Sequence, residues 1–246
     1  MANAKKFGIQ SWCFRSFKDN KEVIKQLKAC GVSQIELCGV HADFTNETQF
    51  ADVIKTYKDA GVAIVSIGVQ TFKGDEKAES KFFTFATMAG ARYISAHFAI
   101  GTTPNSFRVA EKLSAANNVK LAIHNHGGRD WLGSAAMLGN VFANTNDSIG
   151  LCLDTAWAMD SGEEPLKMVE LFGKRLYGLH VKDFTFDAAR RPTDVVVGTG
   201  NLKLKELVAK LREVSFAGYT VIEYEGDVDN PAPALTKCVE ALAKEM

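Results

Sequence analysis

The sequence predicts an α/β protein, a single (β/α)8 TIM barrel spanning residues 1–246. Three observations predict it. Eight short β-rich runs alternate with stretches of helical periodicity. The 246 residues divide into about 30 per unit, the size of a βαβ repeat. No low-complexity linker or shift in composition splits the chain.

The β-rich runs, in order, are Phe7–Trp12, Gln34–Cys38, Ala63–Gly68, Tyr93–Phe98, Lys120–His124, Ile149–Asp154, Leu176–Lys182 and Tyr219–Tyr224. Between them the apolar residues change period. Lys21–Cys30 puts Val23, Ile24 and Leu27 on one helical face, and Lys203–Val214 does the same with Leu204, Leu207, Val208 and Leu211. Pro104 and Pro165 stand where first-turn prolines belong, and Gly31, Gly61 and Gly173 follow helical runs as C-caps. Gly31-Val32 and Gly61-Val62 each mark a helix stop and a tight turn into a strand. An open, doubly wound sheet is the alternative architecture. It lacks the G-x-G-x-x-G after the first strand that dinucleotide-binding sheets carry.

Composition narrows the function. The chain has 29 Lys+Arg against 29 Asp+Glu, and a net charge of zero argues against a nucleic-acid binder. Hydrophobic residues make up 46% and charged ones 24%, an ordinary globular balance. No apolar run reaches the roughly 18–20 residues of a membrane span. The polar start, Met1 to Phe7, lacks the apolar core of a signal peptide, so a cytoplasmic location is expected. The five cysteines, Cys13, Cys30, Cys38, Cys152 and Cys238, are odd in number and share no paired spacing. They read as reduced, buried thiols.

Parity within the strands separates two faces. Tyr177, Leu179 and Val181 oppose Gly178, His180 and Lys182. Ile149, Leu151 and Leu153 oppose Gly150, Cys152 and Asp154. Thr220, Ile222 and Tyr224 oppose Val221, Glu223 and Glu225. The first set of each strand faces the helices and the second faces the barrel interior. The polar members come late in each strand, at the end where barrel active sites lie. Four of the five histidines, His97, His124, His126 and His180, sit at or just past strand ends, and Glu36, Asp154, Glu223 and Glu225 occupy matching positions. Buried imidazoles and carboxylates must be paired, hydrogen-bonded or metal-bound. Gathered on one rim, these residues suit a divalent-metal site. Each also has a plainer role. His97 fits a hydrogen-bonded rim residue, Asp154 a helix cap, and Glu225 with Lys182 a solvated ion pair. Trp12 and Trp157 fit core packing as well as they fit the apolar wall of a pocket.

The stretches IHNHGG (123–128), LCLDTAWA (151–158), LHVKDF (179–184), VGTGN (197–201) and IEYEG (222–226) resemble the xylose isomerase-like barrel superfamily. More narrowly they are similar to its sugar phosphate isomerase/epimerase branch, which includes inosose dehydratase-like enzymes. The resemblance runs from the first strand to the eighth. It implies one divalent ion, Mn, Co, Fe, Zn or Mg, held by residues from strands five to eight. By position Asp154, His180 and Glu223 match three of the family's ligands. At the fourth, where epimerases of the family have Glu, this chain has His124. The resemblance implies an isomerase, epimerase or lyase that abstracts a proton next to the carbonyl of a keto-sugar or polyol. Glu223 is then ligand and base together, His124 or His126 its partner on the opposite face, and Lys182 an oxyanion stabiliser. Glu36, His97, His126, Trp12, Trp157 and Glu225 are expected to bind substrate.

The partner expected is a small carbohydrate, with no nucleic acid and no membrane; homo-oligomerisation is left open. The superfamily's abasic-site endonucleases carry His three residues after the strand-six Asp, where this chain has Trp157. A non-catalytic sugar-binding barrel would explain the missing Glu at 124, but not the retention of Asp154, His180 and Glu223. Arg129, Arg190 and Arg191 fall in loops, and no phosphate loop is evident.

Overall fold

The computed structural model describes residues 7–246. The polar start, up to Lys6, lies outside the described residues, and with it most of the stretch read for a signal peptide.

The strands are β1 (Phe7–Gln10), β2 (Gln34–Leu37), β3 (Ala63–Phe72), β4 (Tyr93–Phe98), β5 (Lys120–His124), β6 (Ile149–Asp154), β7 (Leu176–Val181), β8 (Asp183–Phe186), β9 (Pro192–Val195) and β10 (Tyr219–Ile222). Seven of these, β1 to β7, close with β10 into a barrel of order β1-β10-β7-β6-β5-β4-β3-β2. Neighbours pair in parallel, from Phe7 opposite Thr220 round to Asp154 opposite His180. The helices α1 (Asn20–Ala29), α2 (Phe50–Asp59), α3 (Glu76–Ala89), α4 (Asn105–Asn117), α5 (Ala135–Ala143), α6 (Thr155–Asp160), α7 (Pro165–Phe172), α8 (Leu204–Glu213) and α9 (Ala232–Glu245) lie between and after the strands. The predicted (β/α)8 barrel is the fold observed.

Local chemistry explains the boundaries. Asp19 caps α1, its carboxylate accepting the Lys21 N–H at 2.9 Å. Val23, Ile24 and Leu27 form the buried face of α1, and Leu204, Leu207, Val208 and Leu211 that of α8. Each such side chain contributes about 1.5–3 kcal/mol on burial. Gly31 and Gly61 both take φ of +70°, the left-handed conformation that stops the helix ahead of β2 and β3.

Some expectations are corrected. Gly173 has φ of −50° and opens a 3-10 turn, Gly173–Arg175, instead of a left-handed cap. Pro104 caps α4 from outside its first turn. Trp12 leaves the first strand for a 3-10 turn, Ser11–Phe14, because the Gln10 side chain takes its N–H. The third strand runs on to Phe72. A hairpin, β8 against β9, rises beyond β7 where only loop was expected.

The barrel interior is filled below the mouth. Tyr93, Ala122 and Cys152 form a layer inside it, and a Cβ on Gly178 would stand 2.6 Å from the Tyr93 hydroxyl and 2.9 Å from Cys152 Sγ. All five cysteines are buried. Among the described residues, no helix is long and apolar enough to cross a membrane.

Candidate metal centre and active site

Four buried side chains converge at the C-terminal ends of the strands. His124 ends β5, Asp154 ends β6, His180 lies on β7, and Glu223 directly follows β10. Each offers a donor atom, and these atoms lie within 4.8 Å of one another. His124 Nε2 stands 3.6 Å from Asp154 Oδ2 and 3.8 Å from Glu223 Oε2. Those gaps are too long for hydrogen bonds and suit donors spread around one cation. Both ring nitrogens of His124 and the Oδ2 of Asp154 are buried without a hydrogen-bond partner. Buried polar atoms are rarely left so. The four residues therefore fit a divalent ion, and two nitrogens with two oxygens suit Mn, Co, Fe or Zn better than Ca.

The supporting contacts fix each donor. Asp154 caps α6: its Oδ1 accepts the Trp157 N–H at 2.8 Å, and Oδ2 is left facing the cluster. Asn125 clamps β5 to β6, accepting the Asp154 N–H at 2.8 Å and donating to the Asp154 carbonyl at 3.0 Å. His180 has Glu36 Oε1 3.0 Å from Nε2 and Glu223 Oε2 3.0 Å from Nδ1. With Nε2–H given to Glu36, Nδ1 is the nitrogen turned to the cluster.

Electrostatics follow from this crowding. Burial disfavours a charged His124, but Asp154 and Glu223 beside it raise its pKa to about 9. Burial alone would raise Glu223; Lys182, His124 and His180 outweigh it and hold the carboxyl well below its usual range. Burial, with His124 alongside, lowers His126 to about 4, so its imidazole is neutral at pH 7.

A cavity of ≈ 500 Å³ opens above the cluster, lined in part by Trp12, His124, His126, Trp157, Glu223 and Glu225. Trp12 donates its indole N–H to Glu225 at 3.0 Å, which holds the ring at the rim. His97 faces a neighbouring cavity of ≈ 580 Å³ that His126 also lines.

Two of the expected site residues lie away from both cavities. Glu36 is fully buried and lines neither cavity. It accepts from Gln10, Ser66, Tyr93, Ser95 and His180, and the last of these contacts orients the His180 ring. Lys182 is also fully buried and lines neither cavity. It is paired with Glu225, stands 3.7 Å from Asp194, and lies 5.1 Å from the Trp157 ring centroid. Lys182 holds Glu225 and helps keep Glu223 ionised.

Sequence reasoning missed three residues. Asn125 lies inside the IHNHGG stretch, but its clamp across two strands depends on pairing. Asp130, 3.0 Å from His97, sits in a loop without periodicity. Asp194 lies on the unexpected hairpin.

Residues 24–244 match the family model described as xylose isomerase-like TIM barrel. Similar solved structures include an uncharacterized protein from Parabacteroides distasonis ATCC 8503, 26% identical, with a TM-score of 0.72 over 98% of this chain and 99% of that one. The probable 3-DHS dehydratase AsbF of Bacillus anthracis is 16% identical, with a TM-score of 0.76 over 97% of this chain and 98% of that one. The 3-keto-D-glucoside 4-epimerase YcjR of E. coli is 17% identical, with a TM-score of 0.73 over 97% of this chain and 99% of that one. The likeness to the last two is one of fold. A search of curated protein sequences finds no match.

Proposed function

The chain belongs to the xylose isomerase-like TIM barrel family, and on that premise we propose that it is a metal-dependent isomerase or epimerase of a keto-sugar or related polyol. The observation that carries this is the buried set His124, Asp154, His180 and Glu223, with its unpartnered donor atoms, beneath an open cavity. A divalent ion held there would polarise a substrate carbonyl and so acidify the adjacent C–H.

The chain's own residues supply the rest. Glu223 reaches the cavity ionised and is placed to take the proton from the carbon next to the carbonyl, a step worth about 10²–10⁴-fold. His126 lines the same cavity and, with no ion bound to its ring, is a second proton-accepting group. Glu223 and His126 are both unprotonated at pH 7, so two-base epimerisation needs one of them to enter the cycle protonated. Trp12 and Trp157 offer an apolar wall to a sugar ring, and Glu225 an acceptor for its hydroxyls.

A lyase is the second reading, favoured by one observation. The imidazole of His124 stands where a second carboxylate would make the site symmetric. Elimination of water needs only one base for the C–H proton, with a donor for the leaving hydroxyl.

Glu223→Gln tests the proposal. Turnover of keto-sugars should be abolished and divalent-metal affinity should fall. Near-normal activity would overturn the assignment of Glu223.

A further inference from the structure

A second group of donors lies beside the first and shares no residue with it. His97, near the end of β4, places Nε2 at 3.0 Å from Oδ2 of Asp130, in the loop after β5. The His126 ring stands nearly perpendicular to that of His97, with centroids 5.7 Å apart. One donor atom from each of the three lies within 4.8 Å of the others. A hydrogen bond between His97 and Asp130 would account for two of them. It leaves His126 unexplained, because Nδ1 of that ring is buried and has no hydrogen-bond partner.

The loop is built to hold this arrangement. Asp130 spends Oδ1 on the Leu132 N–H at 2.8 Å, which frees Oδ2 to face His97. Trp131 ties the loop to β4 by donating its indole N–H to the Phe98 carbonyl at 2.9 Å. Donors bound at about 2.0–2.2 Å around one ion stand roughly 3–3.5 Å from each other. The His97–Asp130 spacing already meets that condition.

We propose that His97, His126 and Asp130 form a second divalent-cation site at the barrel mouth. Two imidazoles and one carboxylate select a borderline ion such as Zn or Co over Ca or Mg. Three protein donors leave a coordination position open to the ≈ 580 Å³ cavity that His97, His126 and Asp130 line. That position takes an oxygen donor, a water or a substrate hydroxyl. The rings of His124 and His126 lie 4.5 Å apart, so the two ions would occupy adjoining compartments. The second site does not depend on an ion being bound at the first.

Metal counting tests this and separates the two sites. The full chain is stripped with a chelator, reconstituted with Zn²⁺ or Co²⁺, freed of excess ion and assayed by elemental analysis. Circular dichroism confirms that each variant is folded. Wild type should carry two ions per chain. His97→Gln and Asp130→Asn should each carry one, and so should Asp154→Asn, which loses the other site. With Co²⁺, the visible spectra of His97→Gln and Asp154→Asn should differ and sum to that of wild type. One ion per chain in wild type, retained in His97→Gln and lost in Asp154→Asn, would overturn the second site and leave the first standing. One ion lost in His97→Gln and retained in Asp154→Asn would support the second site and overturn the first.

Discussion

Glu36 shows how far a single side chain can act from the chemistry. Its carboxylate is fully buried, and its five donors include the Ser66 hydroxyl at 2.5 Å and the Gln10 amide at 2.6 Å. Burial pushes its carboxyl up, but His180 and Ser66 outweigh that and keep it below the ordinary carboxylate range. The resulting anion fixes which nitrogen of His180 carries the proton. Glu36→Gln should therefore weaken divalent-metal binding about 10–100-fold, read by competition with a chromophoric chelator. Unchanged affinity in the folded variant would show that His180 needs no such partner. Strand alternation makes Glu36 legible as an inward residue but does not give its depth. Parity sets the side of a strand; depth depends on barrel tilt and stagger, which place Glu36 beside Gln10 and Ser66.

At the scale of elements, the hairpin of β8 and β9 is the part that periodicity did not reveal. Its strands are only four residues each, and the turn between them is rich in charge. A lysine directly after β7 is expected to face the mouth; with the hairpin in place Lys182 is fully buried. The hairpin brings Asp194 to Lys182 and to the Glu225 N–H, which Asp194 accepts at 3.0 Å. Burial raises Asp194 to about 7, against the pull of Lys182. A raised carboxyl binds its proton more tightly folded than unfolded, so stability declines as pH rises between about 4 and 7. Above that window the full penalty remains. Asp194→Asn should thus gain melting temperature over wild type at pH 8 relative to pH 4; a difference independent of pH would contradict the assignment. Asp183, at the root of the hairpin, accepts the N–H groups of Gly198, Gly200 and Leu202, each at 2.9 Å. Asp183→Ala leaves these donors unpaired at a cost of about 1–3 kcal/mol each. Its melting temperature should fall by several degrees, and a change of under one degree would mean that water replaces the carboxylate.

Over the whole molecule, the barrel turns a one-dimensional pattern into a site. His124, Asp154, His180 and Glu223 were legible because each sits late in an inward-facing parity set, and closure brings those ends together. What the sequence hid were contacts made by loops: Asp130 on His97, and the cover over Lys182. The chain's 29 cationic and 29 anionic side chains cancel, yet charge is concentrated at the mouth, where Glu223 and His124 line the cavity. The reaction proposed for the site is proton abstraction next to a carbonyl, aided by a divalent ion. Incubation with keto-sugars, inososes and 3-keto-glycosides in heavy water, followed by proton NMR, tests it most directly. Deuterium is expected at the carbon adjacent to the carbonyl of the accepted substrate, lost on chelation and restored by added metal. Conversion of a substrate with no deuterium at that carbon, at a rate indifferent to chelation, would contradict it.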